Sequence, residues 1–370
     1  MKKEFSTNTA KFVYTKNESG YQEVLDKFTT AKEIMIITYN ISERQNKLFN
    51  CLKDADDKCE ITIITNIPNR WEKYYGGHFR ELACKKINLY MTKLTPEKLG
   101  SKSSVFFNFK NHGKIVMTDT IAYVGSENFS EESVSNSEFG FLCGDHDLID
   151  FLKSEVLPDI KNSSVPYYQY DYTELLLEAN MILTSLFNVR NQLHDEVYYM
   201  HDDENYSFID NQDCLSTCTI DSIVDISSAA MDIANDIFSA LETIDHTKDE
   251  MNMLNSLYDE LSTMLDQIGK ISTCEEISTL SSFSVSEYVD HQLETQYLLE
   301  ADEEHLDGCV ADASDDAIDE LLDLCIGAKS YLDDLLNIME TFQNTYSEYI
   351  ELFNRHEIKK INPQIDNTSL

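Results

Sequence analysis

Along the first 165 residues the period of the apolar positions changes again and again. Residues 11–14 read as a short strand. Tyr21, Val24, Leu25 and Phe28 then step at helical spacing across 21–31. The run EIMIITYNIS at 33–42 is apolar, of strand length and rich in isoleucine, which predicts a buried strand. A helix is expected over 43–55, with Leu48, Phe49 and Leu52 on one face and Ser42 as its N-cap. EITIITNIP at 60–68 predicts a second buried strand ended by proline. Residues 69–85 hold Trp71, Tyr74, Tyr75 and the pair Gly76-Gly77, then a helix carrying His78, Phe79 and Leu82. KINLYMTK at 86–93 reads as a third strand, followed by strands over 105–118, 121–124 and 138–143 and a closing helix over 145–161. Strands alternating with helices predict an α/β layer domain built on a mixed sheet.

From residue 166 the pattern changes. VPYYQYDY marks a boundary or packed linker, and no proline then occurs before Pro363. Only Gly269, Gly308 and Gly327 interrupt the remainder. Apolar residues recur in three- and four-residue steps from Ile220 to Leu241, from Met253 to Ile268 and from Ile318 to Phe353. That is the mark of amphipathic helices burying one stripe, and it predicts an all-α bundle or antiparallel coiled-coil-like domain. Loops are expected near 202–214, 269–275 and 305–312.

Charge sharpens this division. Residues 1–165 carry 22 basic and 23 acidic side chains, whereas 166–370 carry 7 and 44. The expected domains are therefore 1–165 and 166–370. Within the first, residues 1–118 hold 20 basic against 13 acidic side chains, a mild positive excess. The net −37 of the second repels nucleic acid and anionic membranes over a Debye length of about 8 Å. Such a part either folds over a site, docks a basic protein partner, or serves solubility. No segment approaches 18 uninterrupted apolar residues, so no membrane insertion and no signal peptide are expected. The nine cysteines are scattered without a Cys-x-x-Cys, and Cys214 and Cys218 lie one helical turn apart in an apolar run. These are cysteines of a reduced, cytoplasmic compartment, with neither a disulfide framework nor a zinc site.

The chemistry concentrates at 111–130, NHGKIVMTDTIAYVGSENFS. On a strand, His112 and Lys114 would point to one face. Asp119 follows at a turn, then Gly125-Ser126-Glu127-Asn128. An imidazole can attack phosphorus, and an ammonium supplies charge to the transferring oxygens. The hydroxyl of Ser126 and amide of Asn128 can donate further hydrogen bonds. This chemistry calls for no metal and no cofactor. The other His-x-Lys, His246-Thr247-Lys248, has no aspartate at the required spacing and no Gly-Ser-x-Asn after it, and it falls in helical context. His78 and Arg80 could line a cleft, and Trp71, Tyr74 and Tyr75 could stack on bases, but each set also suits ordinary packing. The acid-rich stretch 299–320 lacks a calcium-loop pattern.

Residues His112, Lys114, Asp119, Gly125, Ser126 and Asn128 resemble the HxK-x4-D…GSxN signature of the phospholipase D superfamily, and Asn136-Ser137-Glu138 resembles its downstream Asn-x-Glu. Five residues separate Asp119 from Gly125 where the family usually has six, which bears on the register of Ser126 and Asn128. The resemblance covers about 10–165 and implies an α/β/α sandwich. It also implies a covalent phosphohistidine on His112 and phosphate held by Lys114 and Asn128, with Ser126 either binding phosphate or polarising a histidine. Asp119 and Glu138 would orient the imidazoles. With one motif per chain, it implies a homodimer whose site straddles the interface. A nuclease acting on DNA or RNA, as in bacterial defence, is the leading implication. Phospholipid phosphodiester chemistry, or a catalytically vestigial scaffold acting through its acidic domain, are the alternatives.

Overall fold

A computed structural model describes residues 2–6, 10–56, 58–68, 79–99, 102–167, 172–201, 205–208, 215–242, 248–297 and 306–361. The predicted roles of Trp71, Tyr74, Tyr75, His78 and the His246-Thr247 pair fall outside them. The chain divides into two compact units, one built on 1–70, 80–181 and 354–370 and the other on 71–79 and 182–353.

The first unit is organised by a nine-stranded mixed sheet among the described residues. Its strands are β1 (Lys2–Ser6), β2 (Ala10–Lys16), β3 (Glu33–Thr38), β4 (Glu60–Thr65), β5 (Ser103–Phe107), β6 (Ile115–Thr118), β7 (Ala122–Gly125), β8 (Ser137–Cys143) and β9 (Val165–Pro166). They lie in the order β1-β2-β8-β7-β6-β3-β4-β5-β9. β3, β4 and β5 run parallel, and the remaining pairings are antiparallel. Helices α1 (Gln22–Leu25), α2 (Lys47–Lys53), α3 (Phe79–Lys93), α4 (Pro96–Leu99), α5 (His146–Phe151) and α6 (Leu157–Asn162) accompany it.

Alternation divides the sheet into two faces. Met35, Ile37, Ile64, Ile115, Met117 and Ala122 form one core with Ile149, Leu152 and Leu157 from the α5–α6 segment. On the opposite face Ile34, Ile36, Val116 and Tyr123 are fully buried, and Tyr21 meets Tyr123 edge-on at 5.6 Å. Burial of each such aliphatic side chain stabilises by about 1.5–3 kcal/mol.

Several local expectations change. Residues 86–93 are not a strand but the second half of α3. Ala83, Ile87, Tyr90, Met91 and Leu94 are all buried, and their three- and four-residue steps are helical. The segment 21–31 forms only α1 and a single 3-10 turn, Phe28–Thr30. The 43–55 helix is shortened to α2, because the Ser42 hydroxyl accepts the Glu131 amide instead of capping it. Glu131 caps in its place, its carboxylate accepting the Leu48 amide at 2.9 Å. Residues 105–118 split into β5 and β6, so His112 and Lys114 lie in the connection and not on a strand.

The second unit is helical, as its pattern predicts. Helices α7 (Thr173–Val197), α8 (Thr217–Glu242), α9 (Lys248–Ser272), α10 (Glu275–Ser282), α11 (Val285–Gln292) and α12 (Leu306–Ile361) supply it, α7 and α12 also extending into residues of the first unit. Ile223, Ile226, Ile233 and Ile237 of α8, Leu254 and Leu261 of α9, and Leu332, Leu335 and Phe342 of α12 are fully buried. The Tyr349 hydroxyl donates to the Ala234 carbonyl at 3.0 Å, so its polar end is satisfied inside this core. α9 continues through Gly269 to Ser272, and α12 runs across the expected loop at 305–312 from Leu306 onward. A hairpin, β10 (Tyr198–His201) with β11 (Asn205–Phe208), occupies part of the expected 202–214 loop.

Candidate active site

The antiparallel start of β6 lies beside the carboxyl end of β3, with Ile115 opposite Ile37. The segment just ahead of β6 therefore opens at the carboxyl ends of β3, β4 and β5, where open α/β sheets bind ligands. Side-chain amides shape that segment. Asn111 donates to the Thr38 carbonyl at 2.9 Å and accepts the Gly113 amide at 2.9 Å. Asn66 donates to the Phe109 carbonyl at 3.1 Å.

Within it, Lys114 turns back on His112. Its Nζ lies 3.0 Å from His112 Nδ1 and 3.4 Å from Nε2, and donates to the His112 carbonyl at 2.5 Å. Lys114 is buried and His112 exposed. Burial holds the Lys114 ammonium below the usual lysine range, and the charge of Glu138 acts the other way. Tyr39, which the sequence reading passed over, packs its ring 4.8 Å from the His112 ring, with Lys114 Nζ 5.4 Å from its centroid.

The short hairpin turn does not displace the second half of the motif. Thr118 accepts the Thr120 and Ile121 amides with its hydroxyl and donates its own amide to the Ile121 carbonyl. Val124 then pairs with Ile115, and the Gly125 amide donates to the Lys114 carbonyl at 3.1 Å. Gly125 is required there because the Tyr123 ring lies across it, leaving no space for a Cβ. Ser126 follows beside β8. Its hydroxyl donates to Glu138 Oε2 and accepts the Phe139 amide at 3.0 Å, while Asn136 donates to Glu138 Oε1 at 3.3 Å. Ser126 thus holds the Glu138 carboxylate in this chain.

Asn128 is fixed by its carbonyl end. Its Oδ1 accepts the Tyr39 amide at 3.2 Å, which turns Nδ2 the other way and leaves it without a partner among the described residues. Its backbone carbonyl accepts the Tyr21 hydroxyl at 3.1 Å, and Thr38 Oγ1 accepts the Phe129 amide at 2.9 Å. Glu127, between Ser126 and Asn128, is wholly buried and accepts the Gly20 amide at 2.6 Å. Asp119 is not brought to this group. It sits past the far end of β6, where Oδ1 accepts the Lys32 amide at 2.9 Å, and it makes no hydrogen bond to His112 of its own chain. Glu138 likewise bonds Ser126 and Asn136 and makes no hydrogen bond to His112 of its own chain. Arg80 pairs with Glu178 at 3.0 Å, a structural ion pair of the first unit. No group of three or more potential metal ligands occurs among the described residues. No helix of the described residues is long and apolar enough to cross a membrane.

No curated protein matches the chain. Among solved structures, the chain is similar to Nuc, a phospholipase D family member from Salmonella typhimurium, at 16% identity over 43% of this chain and 97% of that one, with a TM-score of 0.31. It is similar to NucT from Helicobacter pylori at 17% identity, covering 43% and 99%, with a TM-score of 0.30. Phosphatidylserine synthase from Haemophilus influenzae Rd KW20 matches at 15% identity, covering 46% and 45%, with a TM-score of 0.32. The family described as cardiolipin synthase, PLD-like domain, matches residues 24–160, a span that contains every residue of the motif from His112 to Glu138. Residues 24–160 are a phospholipase D-like domain.

Proposed function

We propose that the chain is a cytoplasmic, metal-independent phosphodiesterase that cleaves nucleic acid through a covalent phosphohistidine. The observation that carries this reading is the Lys114–His112 pair with the Nδ2 of Asn128 unengaged, at the carboxyl ends of β3 to β5. His112 attacks phosphorus, forming an N–P bond as the P–O bond to the leaving oxygen breaks. Lys114 and Asn128 hold the phosphoryl oxygens, and Tyr39 packs against the imidazole ring. A second imidazole protonates the leaving oxygen, then takes a proton from the water that cleaves the N–P bond. The unit supplies one such histidine beside Lys114, so the same histidine of a second copy completes the site. Its mild positive excess before the site favours a polyanion over an isolated headgroup.

An open part of the sheet supports the second copy. Phe139 and Phe141 are each 52% exposed and Val124 38%, on the face that α5 and α6 cover only over other strands. Phe12 meets Phe141 at 5.3 Å and Tyr14 meets Phe139 at 5.0 Å, forming one aromatic patch that reaches Ser126 through the Phe139 amide. The test is cleavage of single- and double-stranded DNA and RNA in EDTA by the full chain. The reading requires cleavage that His112→Ala abolishes without altering the circular dichroism. It also requires that Phe139→Asp with Phe141→Asp lower the sedimenting mass from dimer to monomer and the activity with it. Cleavage that survives His112→Ala overturns the chemistry, and an active monomer overturns the shared site.

A further inference from the structure

In the second unit, α12 buries Ala313, Ala317, Leu321, Cys325 and Ala328 on one face. Beside that face a second apolar row stays open to solvent. Val310 is 39% exposed, Ile318 37%, Leu322 40% and Ile326 66%. Ile318, Leu322 and Ile326 stand four residues apart, with Val310 eight before Ile318, so they form a single ridge along the helix. Next to the ridge run two rows of exposed carboxylates at the same spacing, Asp312–Asp316–Glu320 and Asp315–Asp319–Asp323. Residues 307–328 contain seven acidic side chains and no lysine or arginine. Like charges at i,i+4 destabilise a helix, so this stretch carries both an uncovered apolar ridge and a repulsion that its own residues do not relieve. The first cation beyond it, Lys329, pairs with Asp333 at 2.8 Å.

We propose that this ridge docks a basic amphipathic helix of another protein. The partner's aliphatic side chains at i, i+4 and i+8 would seat on Ile318, Leu322 and Ile326, and lysines or arginines flanking them would face the carboxylate rows. Charge selects this occupant. A second copy would set seven carboxylates against seven, and an anionic lipid surface would be repelled in the same way.

The test titrates the full chain with a fluorescent 18-residue helical Leu/Lys peptide, read by anisotropy, beside a peptide of the same composition scrambled to remove the apolar stripe. The helical peptide is expected to bind at least about tenfold more tightly, the effect of burying one aliphatic side chain. Leu322→Asp with Ile326→Asp should erase that margin, and Leu322→Gln with Ile326→Gln should shrink it. Met253→Asp, at an exposed apolar position of α9, should preserve it. Equal binding of the two peptides would reveal attraction by charge alone and overturn the proposal. So would a margin that persists in both ridge variants.

Discussion

Glu127→Gln offers a measurement of what the interior of the site loop does. The carboxyl is 0% exposed, its Oε2 accepts the Gly20 amide at 2.6 Å, and its Oε1 has no hydrogen-bond partner among the described residues. Burial pushes it from 4.5 up to about 7; hydrogen bonds from the Gly20 amide and Ser19 hydroxyl oppose the rise, and the charge of Glu138 adds to it. The sign follows from proton binding. Between 4.5 and 7 the unfolded carboxyl is ionised while the native one keeps its proton, so stability present below 4.5 is lost as pH rises through 7. A rise of this size is worth about 3.4 kcal/mol in total, of which about 2.5 kcal/mol falls between pH 5 and 8. A glutamine does not titrate, and its carbonyl can still accept the Gly20 amide. Any cost of its buried NH2 is independent of pH and cancels in the comparison. Hydrogen exchange of the β7 and β8 amides against guanidinium reports the unit that holds Glu127 without interference from the helical unit. The variant should gain about 2.5 kcal/mol on the wild type between pH 5 and pH 8. A difference between the two proteins that does not change with pH would refute the buried, proton-holding carboxyl.

Other outcomes follow from the same geometry. Lys114→Met should lower the rate of cleavage by about 10²- to 10³-fold, as loss of one charge-stabilising donor does, with a smaller change in KM, read by steady-state kinetics. Ser126→Ala removes a hydrogen bond to the buried Glu138 carboxylate and should cost about 1–3 kcal/mol in denaturant unfolding. Asp119→Asn should leave cleavage within about threefold, because its carboxylate holds the Lys32 amide at the other end of β6, and removing such a surface contact costs about 1 kcal/mol or less. Gly125→Ala should destabilise by about 1–3 kcal/mol, since the new methyl overlaps the Tyr123 ring, read by thermal unfolding.

The alternation of isoleucine-rich runs with helical spacing made the sheet and the helical second unit legible, because both are dictated by which residues must be buried. The motif was legible because its residues are close in sequence. Residues 82–94 were misdivided because a lysine pair at 85–86 interrupts the apolar periodicity, although Ala83, Ile87, Tyr90 and Leu94 carry it through. The family resemblance implied that Asp119 orients the imidazole, whereas the four residues of β6 carry it to the far end of that strand from His112. The parts of the site that escaped are those made by long-range contacts. Tyr39 reaches His112 across 73 positions, and Glu131 caps α2 across 83. No periodicity records such pairs. Glu127 was visible only as the variable position of Gly-Ser-x-Asn, and its carboxylate is buried against Gly20, beside the Tyr123 ring.

The central claim is that His112 becomes covalently attached to phosphorus. Its most direct test uses an internally ³²P-labelled oligonucleotide, quenched in alkaline detergent during turnover, with the labelled peptide located by mass spectrometry. The mechanism predicts label on His112 that is stable in alkali, released by acid and absent in His112→Ala. Label on any other residue, or rapid cleavage with no labelled protein, would contradict it.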